Sequence, residues 1–465
     1  STHGKNTRSA CIGQGGENLV KYAAVVSDRR TAGRGGTGAV MGSKNLKAVA
    51  ITAARKLYLY DEAAYNALAK EQVNLIRNNP SFLSHKEWGT TSTQDTTNAI
   101  GIYPVRNFRY GQQLNYKEIS GAEYRKLRVG DMGCYSCPAR CGKVHSVASG
   151  IYSGAHSEGP EYESIWAFTG TIESNNIEAS IAADQLCDDY GLDTISTGST
   201  IGFAYELYEK GLLKKSDTGG LELLYGRHEP MVALVKKIAM REGIGDLLAE
   251  GTMRVAQKIG HDSDVYAINV KGMELPAYEP RGAKSQGYNY ATASIGASHC
   301  YGYAAQDIFG APFPHPTDRF DEGNADVVIY NQDNTAWHEC GIMCTFSGGW
   351  GWTQLFGKLV AAARGIDKFT DDAYLAKVGE RMFNLERAFN IREGFGRKQD
   401  TLPKRMLTEP LHTREAKGEG SIVSHQPEFL DKYYSLRGWT KEGIPTAGKL
   451  KDMGLDFAAK DVKVR

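Results

Sequence analysis

The chain has 465 residues, 41% of them hydrophobic, and a formal net charge of +1 with basic and acidic side chains interspersed. This length predicts roughly two to four domains at the usual ~100–200 residues each, and the balanced charge excludes a surface built for nucleic acid or another polyanion. No apolar run is long enough to span a bilayer, and the start, Ser1-Thr-His-Gly-Lys5, has no apolar signal-peptide core. Eight cysteines in so long a chain do not make a disulfide scaffold. They read as reduced ligands in a cytoplasmic setting. The 53 glycines, above the average of about 7%, predict many tight turns and close backbone approaches.

Taken in order, Leu19–Val26 is β-like and Leu46–Thr52 reads as another strand. Between them, Gly33, Gly35 and Gly38 formally satisfy Gly-x-Gly-x-x-Gly. The dinucleotide fold is rejected because its glycines open a helix, whereas Gly42-Ser-Lys-Asn leads within a few residues to a strand. What remains is a glycine loop flanked by Arg30, Arg34, Lys44 and Lys47, whose bare amides and cations suit a phosphate. The plainer alternative is a turn with solvated charges. A helix is predicted over 61–79, with Pro80 as its stop.

The Cys134-Tyr-Ser-Cys137-Pro-Ala-Arg-Cys141 stretch places three thiols at a spacing that converges on one soft metal site. A zinc ribbon would repeat Cys-x2-Cys about fifteen to twenty residues later, and here the next cysteine is the solitary Cys187, so a [4Fe–4S] cluster fits better than structural zinc or inert buried thiols. The fourth ligand is left open among Cys187, Cys300, Cys340 and Cys344. Next, Ser157-Glu-Gly-Pro-Glu161-Tyr162-Glu163 opens a helix. Its carboxylates are either dipole partners or an acid or base entering a cavity. Helices are predicted over 177–190, 194–210, 230–241, 244–259 and 371–391, and a strand over 265–270. Asp188-Asp-Tyr-Gly191-Leu192-Asp193 reads as a helix exit followed by an Asp N-cap, or as a holder for a polar heterocycle. Lys271–Gly282 is too broken by Pro and Gly for regular structure, as in loops that line sites. His299, among small residues, is a structural histidine or part of a cavity wall. The fold class expected is α+β, a small β-containing start before a mainly helical body.

Together these stretches resemble the tungsten-containing aldehyde ferredoxin oxidoreductases. The residues that carry the resemblance are Ala32–Lys47, the Cys134/Cys137/Cys141 trio, Gly159–Glu163, Asp188–Asp193, Gly296–Tyr303, Glu339–Phe346 and Arg387–Gly394. The resemblance implies a chain that begins inside the family pattern, without the N-terminal β domain. It implies residues 1–58 as the end of that domain, then two mainly helical domains, 59–268 and 269–465, enclosing a tungsten bis-pterin and a [4Fe–4S] cluster. The pterins hold tungsten through their dithiolenes. Ala32, Gly33, Arg34, Gly35 and Gly36 would face pterin phosphates bridged by Mg2+. Asp188, Gly191, Leu192 and Asp193 match the first pterin motif. Glu339 and Met343 fall in the second, where Glu replaces the usual Asp and the glycine is displaced. Cys344 aligns with the fourth cluster ligand, and Glu163, Tyr162 and His299 with the acid/base positions. The implied reaction is oxidation of an aldehyde to a carboxylic acid with water as oxygen source. Glu163 would be the general base and His299 the hydrogen-bond donor to the aldehyde oxygen. Electrons would leave singly to ferredoxin or to iron–sulfur and flavin partner subunits, in a homo- or hetero-oligomer. Two other readings stand beside it: a tungsten enzyme of the benzoyl-CoA reductase type, and a non-catalytic iron–sulfur electron carrier.

Overall fold

The structure, a computed structural model, describes residues 6–28, 30–53, 55–348 and 353–462. Residues 1–5, read above for a leader, and Arg29 of the glycine-loop stretch lie outside the described residues. The chain forms two compact units, each assembled from separated stretches: Ser1–Arg55, His85–Gly282 and Pro403–Ile422 in the first, Lys56–Ser84, Ala283–Leu402 and Val423–Arg465 in the second. The α+β class holds, with helix predominating.

The first unit begins with a four-stranded antiparallel sheet in the order Arg30–Ala32, Val25–Ser27, Thr7–Ile12, Ala48–Thr52. The expected strand over 19–26 shrinks to its end, because Leu19 takes a left-handed turn and Ala23 makes only a single bridge, to Leu192. The glycine loop also departs from expectation: a seven-residue helix, Thr37–Ser43, follows it directly. Its small residues allow that packing, since Gly38 and Gly42 lie where a Cβ would strike the backbone of Ala24 and Gly16. The dinucleotide fold is absent all the same, because the sheet is antiparallel. A second sheet pairs Arg128–Met132 with Gly142–Ser146 and then His156–Glu158, and the cysteine trio occupies the connection between its first two strands.

Helices fill the rest of this unit. Asn176 caps Ile177–Tyr190 by accepting from Ala179 N (2.7 Å), and Gly191, at φ 67°, ends it. Asp193 caps Thr194–Glu209 by accepting from Ile195 N (3.0 Å). Residues 195–207 of that helix are buried all round. The predicted helix over 244–259 breaks into Ile244–Leu248 and Thr252–Ile259 at Gly251, whose φ of 79° no helix accommodates. The strand predicted over 265–270 reduces to Asn269–Val270, paired with Met273–Glu274.

In the second unit, Asp61 caps Glu62–Asn78 through Ala64 N (2.9 Å). Pro80 does more than stop that helix: it opens Pro80–Trp88, as its fixed φ permits at a first turn. Ala325–Cys340 packs against Asp372–Arg392, and buried Arg387 pairs with Asp400.

Glu206 is fully buried in its helix and requires compensation. Burial alone would raise its carboxyl. Arg405, donating to both oxygens (2.7 and 3.0 Å), Asn107 (2.6 Å) and Arg109 (3.0 Å) instead hold it below the usual range. The segment Pro403–Ile422 is thereby tied to the first unit. Arg405→Met should lower unfolding stability by about 3–5 kcal/mol, because it strands a buried carboxylate. Denaturant titration measures the loss, and a change within 0.5 kcal/mol, the usual range for surface substitutions, would refute the role given to this pair.

Candidate functional site

Helix Tyr162–Phe168 starts where the sequence predicted, with Glu161 at its N-cap position and Glu163 in its first turn. Glu161 makes no side-chain cap and instead accepts from the Thr90 hydroxyl. Glu163 is half-buried, with its carboxyl turned inward: Oε1 is shielded from solvent and Oε2 accepts from Ala277 N at 2.9 Å. Burial pushes its pKa up to about 8. The Ala277 bond and the positive charge of Arg34 oppose that rise, and the charge of Asp193 adds to it. Tyr162 is 2% exposed; its hydroxyl donates to Ala277 O (2.8 Å) and lies 2.9 Å from Thr97 Oγ1.

Arg34 reaches this place from the glycine loop. Its Nε donates to Asp193 Oδ2 (3.1 Å), and a terminal nitrogen donates to Glu274 O (2.6 Å). The segment that leads into the glycine loop also meets the Asp188–Asp193 stretch through its backbone. Ala24 N donates to Gly191 O (2.8 Å) and Asp193 N to Tyr22 O (3.1 Å). Two stretches about 160 residues apart in the chain, matched to one cofactor by resemblance, thus adjoin in space. Gly35 has φ 91° and open space where a Cβ would stand, and Gly36 has φ 72°. Ala32 and Gly35 are exposed, Gly33, Arg34 and Asp188 half-buried, and Leu192 is buried. An open, left-handed glycine turn beside a guanidinium fits a phosphate-bearing group.

Cys134 is exposed, while Cys137 and Cys141 are half-buried, and none of the three forms a disulfide. Cys137 N donates to Cys134 O (3.0 Å), which closes the first turn of the loop. Arg30, paired with Glu158 (3.1 Å), lies within electrostatic reach of Cys134 and Cys141, and Lys143 within reach of Cys141. Among the described residues, no three His, Cys, Asp or Glu side chains are gathered closely enough to hold a metal ion unaided. The trio fits a cluster by the chemistry and spacing of its donors.

The remaining predicted residues belong to the second unit. His299 is half-buried, edge-on to Tyr303 at 6.4 Å, in a turn fastened by Tyr301, which donates to Glu386, and by Asn289 donating to Ser298 O (3.3 Å). Glu339 and Cys344 are exposed and Met343 half-buried at the end of helix Ala325–Cys340. Sequence reasoning overlooked His338, which is buried against Trp337 (4.1 Å between ring centroids) and lowered by burial to about 4. It also overlooked Thr97 and the Ala277 amide. The interrupted composition of Lys271–Gly282 was the available sign of that last contact.

A carboxyl turned inward that keeps its proton near neutrality, a glycine cradle and clustered thiols beside cations are features suited to a cofactor-dependent redox enzyme. Two models of the family carry the identification further: aldehyde ferredoxin oxidoreductase, domains 2 and 3, matches residues 67–455, and the N-terminal domain of the same family matches residues 1–53. The chain is 39% identical over 457 residues to a tungsten-containing aldehyde ferredoxin oxidoreductase of Pyrococcus furiosus, covering 97% of this chain and 74% of that one. It is 32% identical to the WOR-like subunit of an aliphatic sulfonate oxidoreductase from the same organism, covering 97% of this chain and 71% of that protein. Among solved structures it is similar to the active-site complex BamBC of benzoyl coenzyme A reductase with 1,5-dienoyl-CoA, with a TM-score of 0.77, 26% identity, and coverage of 98% of this chain and 74% of that one. The chain belongs to the aldehyde ferredoxin oxidoreductase family and is an oxidoreductase. The match over residues 1–53 corrects the expectation that the N-terminal domain is missing, since the four-stranded sheet and glycine loop lie in that stretch. Among the described residues, no helix is long and apolar enough to cross a membrane.

Because Glu163 is raised from 4.5 to about 8, the native state holds a proton there that the unfolded chain releases. Its contribution to stability is therefore full below about 4.5 and lost as pH rises through about 8. Urea unfolding across this window should show stability falling with pH, and Glu163→Gln, which cannot ionise, should flatten that slope. An equal slope in both proteins would contradict the raised carboxyl.

Proposed function

We propose that the protein oxidises aldehydes to carboxylic acids with water as the oxygen source and passes the electrons to ferredoxin or to a partner redox subunit. The observation that carries this reading is the buried Glu163 carboxyl beside the Arg34–Asp193 pair. The family membership supplies its context.

A tungsten bis-pterin, when bound, supplies a two-electron acceptor, and a [4Fe–4S] cluster passes electrons one at a time. Ala32, Gly33, Arg34, Gly35 and Gly36 would face the pterin phosphates with their Mg2+, and Asp188, Gly191, Leu192 and Asp193 one pterin edge. Glu339 and Met343 would serve the other pterin. Cys134, Cys137, Cys141 and Cys344 would hold the cluster. Glu163 removes a proton from water at its carboxylate, and His299 donates a hydrogen bond to the aldehyde oxygen. With its pKa near 8, the base form of Glu163 is the minority at neutral pH and grows as pH rises.

A second reading is reduction of the aromatic ring of benzoyl-CoA, favoured by the likeness to the benzoyl coenzyme A reductase complex. Protein purified without oxygen should contain tungsten and iron and turn over aldehydes but not benzoyl-CoA. Iron without tungsten or molybdenum, from cells given both, would overturn the proposal, and turnover of benzoyl-CoA alone would replace it with the second reading. Glu163→Gln should lower kcat by about 10²–10⁴-fold with the metals retained, and should abolish the rise in rate through pH 8. Full turnover by that variant would remove Glu163 from the mechanism.

A further inference from the structure

The resemblance puts Tyr162 among the acid/base residues, yet its hydroxyl is turned onto the protein's own backbone. Ala277 is fully buried and follows Pro276, and Tyr278 N donates to Pro276 O (2.8 Å), so the chain makes a tight turn at Ala277. Two consecutive side chains of one helix grip this residue by its two main-chain groups. Tyr162 donates to its carbonyl (2.8 Å), and its N–H donates to Glu163 Oε2 (2.9 Å). The Tyr162 ring is itself wedged between Tyr103 (6.1 Å) and Tyr278 (5.6 Å). Farther along the loop, buried Arg281 pairs with Glu279 (2.8 Å) and donates to Glu409 O (3.0 Å), and the Ser421 hydroxyl donates to Arg281 O (2.7 Å).

We infer that Tyr162 is a positioning residue: it fixes Ala277 so that the Ala277 amide stays aimed at Glu163 and sets how readily that carboxyl releases its proton. This rests on the reading of Glu163 as the base. Other groups facing the carboxyl include Arg34 from the glycine loop, Asp193 from the start of the buried helix, and the neutral phenol of Tyr103. Arg34 is engaged by Asp193 and Glu274 O, and the Ala277 amide places a neutral donor directly on Glu163 Oε2 (2.9 Å). A hydrogen bond to the ionised form favours it. Losing the phenol that fixes the donor therefore favours the protonated form.

The test is an infrared titration of the full chain, following the protonated-carboxyl band that disappears in Glu163→Gln. In Tyr162→Phe the midpoint should move upward by about one pH unit, a tenfold gain in proton affinity, and the pH limb of the rate should move with it while metal content stays unchanged. Replacing Tyr162 with 3-fluorotyrosine, a stronger donor that keeps the ring, should move the midpoint downward, and this variant decides the matter if Tyr162→Phe does not fold. An unmoved midpoint in the folded variants overturns the inference. The infrared reading is independent of turnover. A wild type that fails to oxidise aldehydes while the midpoint still moves refutes the proposed reaction alone.

Discussion

A carboxyl group taken out of water keeps its proton unless a positive charge or enough donors stabilise the anion, and the interior around Glu163 is arranged so that this compensation is incomplete. One guanidinium, Arg34, stands near two carboxyl groups. It bonds directly to Asp193, whose second oxygen also caps a helix, so Asp193 takes most of the available cation. Glu163 accepts the neutral Ala277 amide. The result is a carboxyl whose pKa lies near 8, close enough to neutrality to exchange protons in either direction. Were Arg34 aimed at Glu163 instead, the group would be a permanently ionised partner and a poor acceptor of a proton.

That arrangement requires a main-chain amide to be delivered to a buried place, and irregular backbone is costly to bury. The stretch from Leu275 to Gly282 meets the cost by satisfying its polar groups internally. Ala277 uses both its N–H and its C=O, Glu279 N donates to Ile102 O (3.1 Å), and Arg281 and Glu279 neutralise one another without exposure. A buried pair of this kind adds little net stability over an apolar substitute. Its value here is that it leaves the loop a single conformation.

What could be read from residues alone follows a physical division. Caps are local, and so Gly191 and Asp193 marked the end of one helix and the start of the next. The helix Thr37–Ser43 was missed because Thr, Gly and Ala carry no periodic apolar stripe; it exists because small residues let it lie against the backbone of neighbouring segments. Rejecting the dinucleotide fold was right, though the antiparallel sheet is the sounder reason. Of the candidate site, Glu163, Arg34 and Asp193 were legible through resemblance. Their mutual contact was not, since spacing along a chain says nothing of which of two carboxyl groups a single guanidinium will choose. A backbone donor such as Ala277 leaves no mark in side-chain identity at all.

The chain order adds a consequence for how this interior forms. The loop that carries Ala277 is fastened through Arg281 to the carbonyls of Glu409 and Pro410 and to the Ser421 hydroxyl, and Glu206 obtains its charge partner from Arg405. All of these partners lie in Pro403–Ile422, more than 120 residues beyond the loop. Bringing such segments together costs loop-closure entropy before any contact repays it. Until they arrive, Glu206 and Arg281 would be buried charges lacking part of their compensation. Burial of the first unit and arrival of Pro403–Ile422 are therefore one event in energetic terms, and Glu163 acquires its settled proton affinity only when that segment is in place.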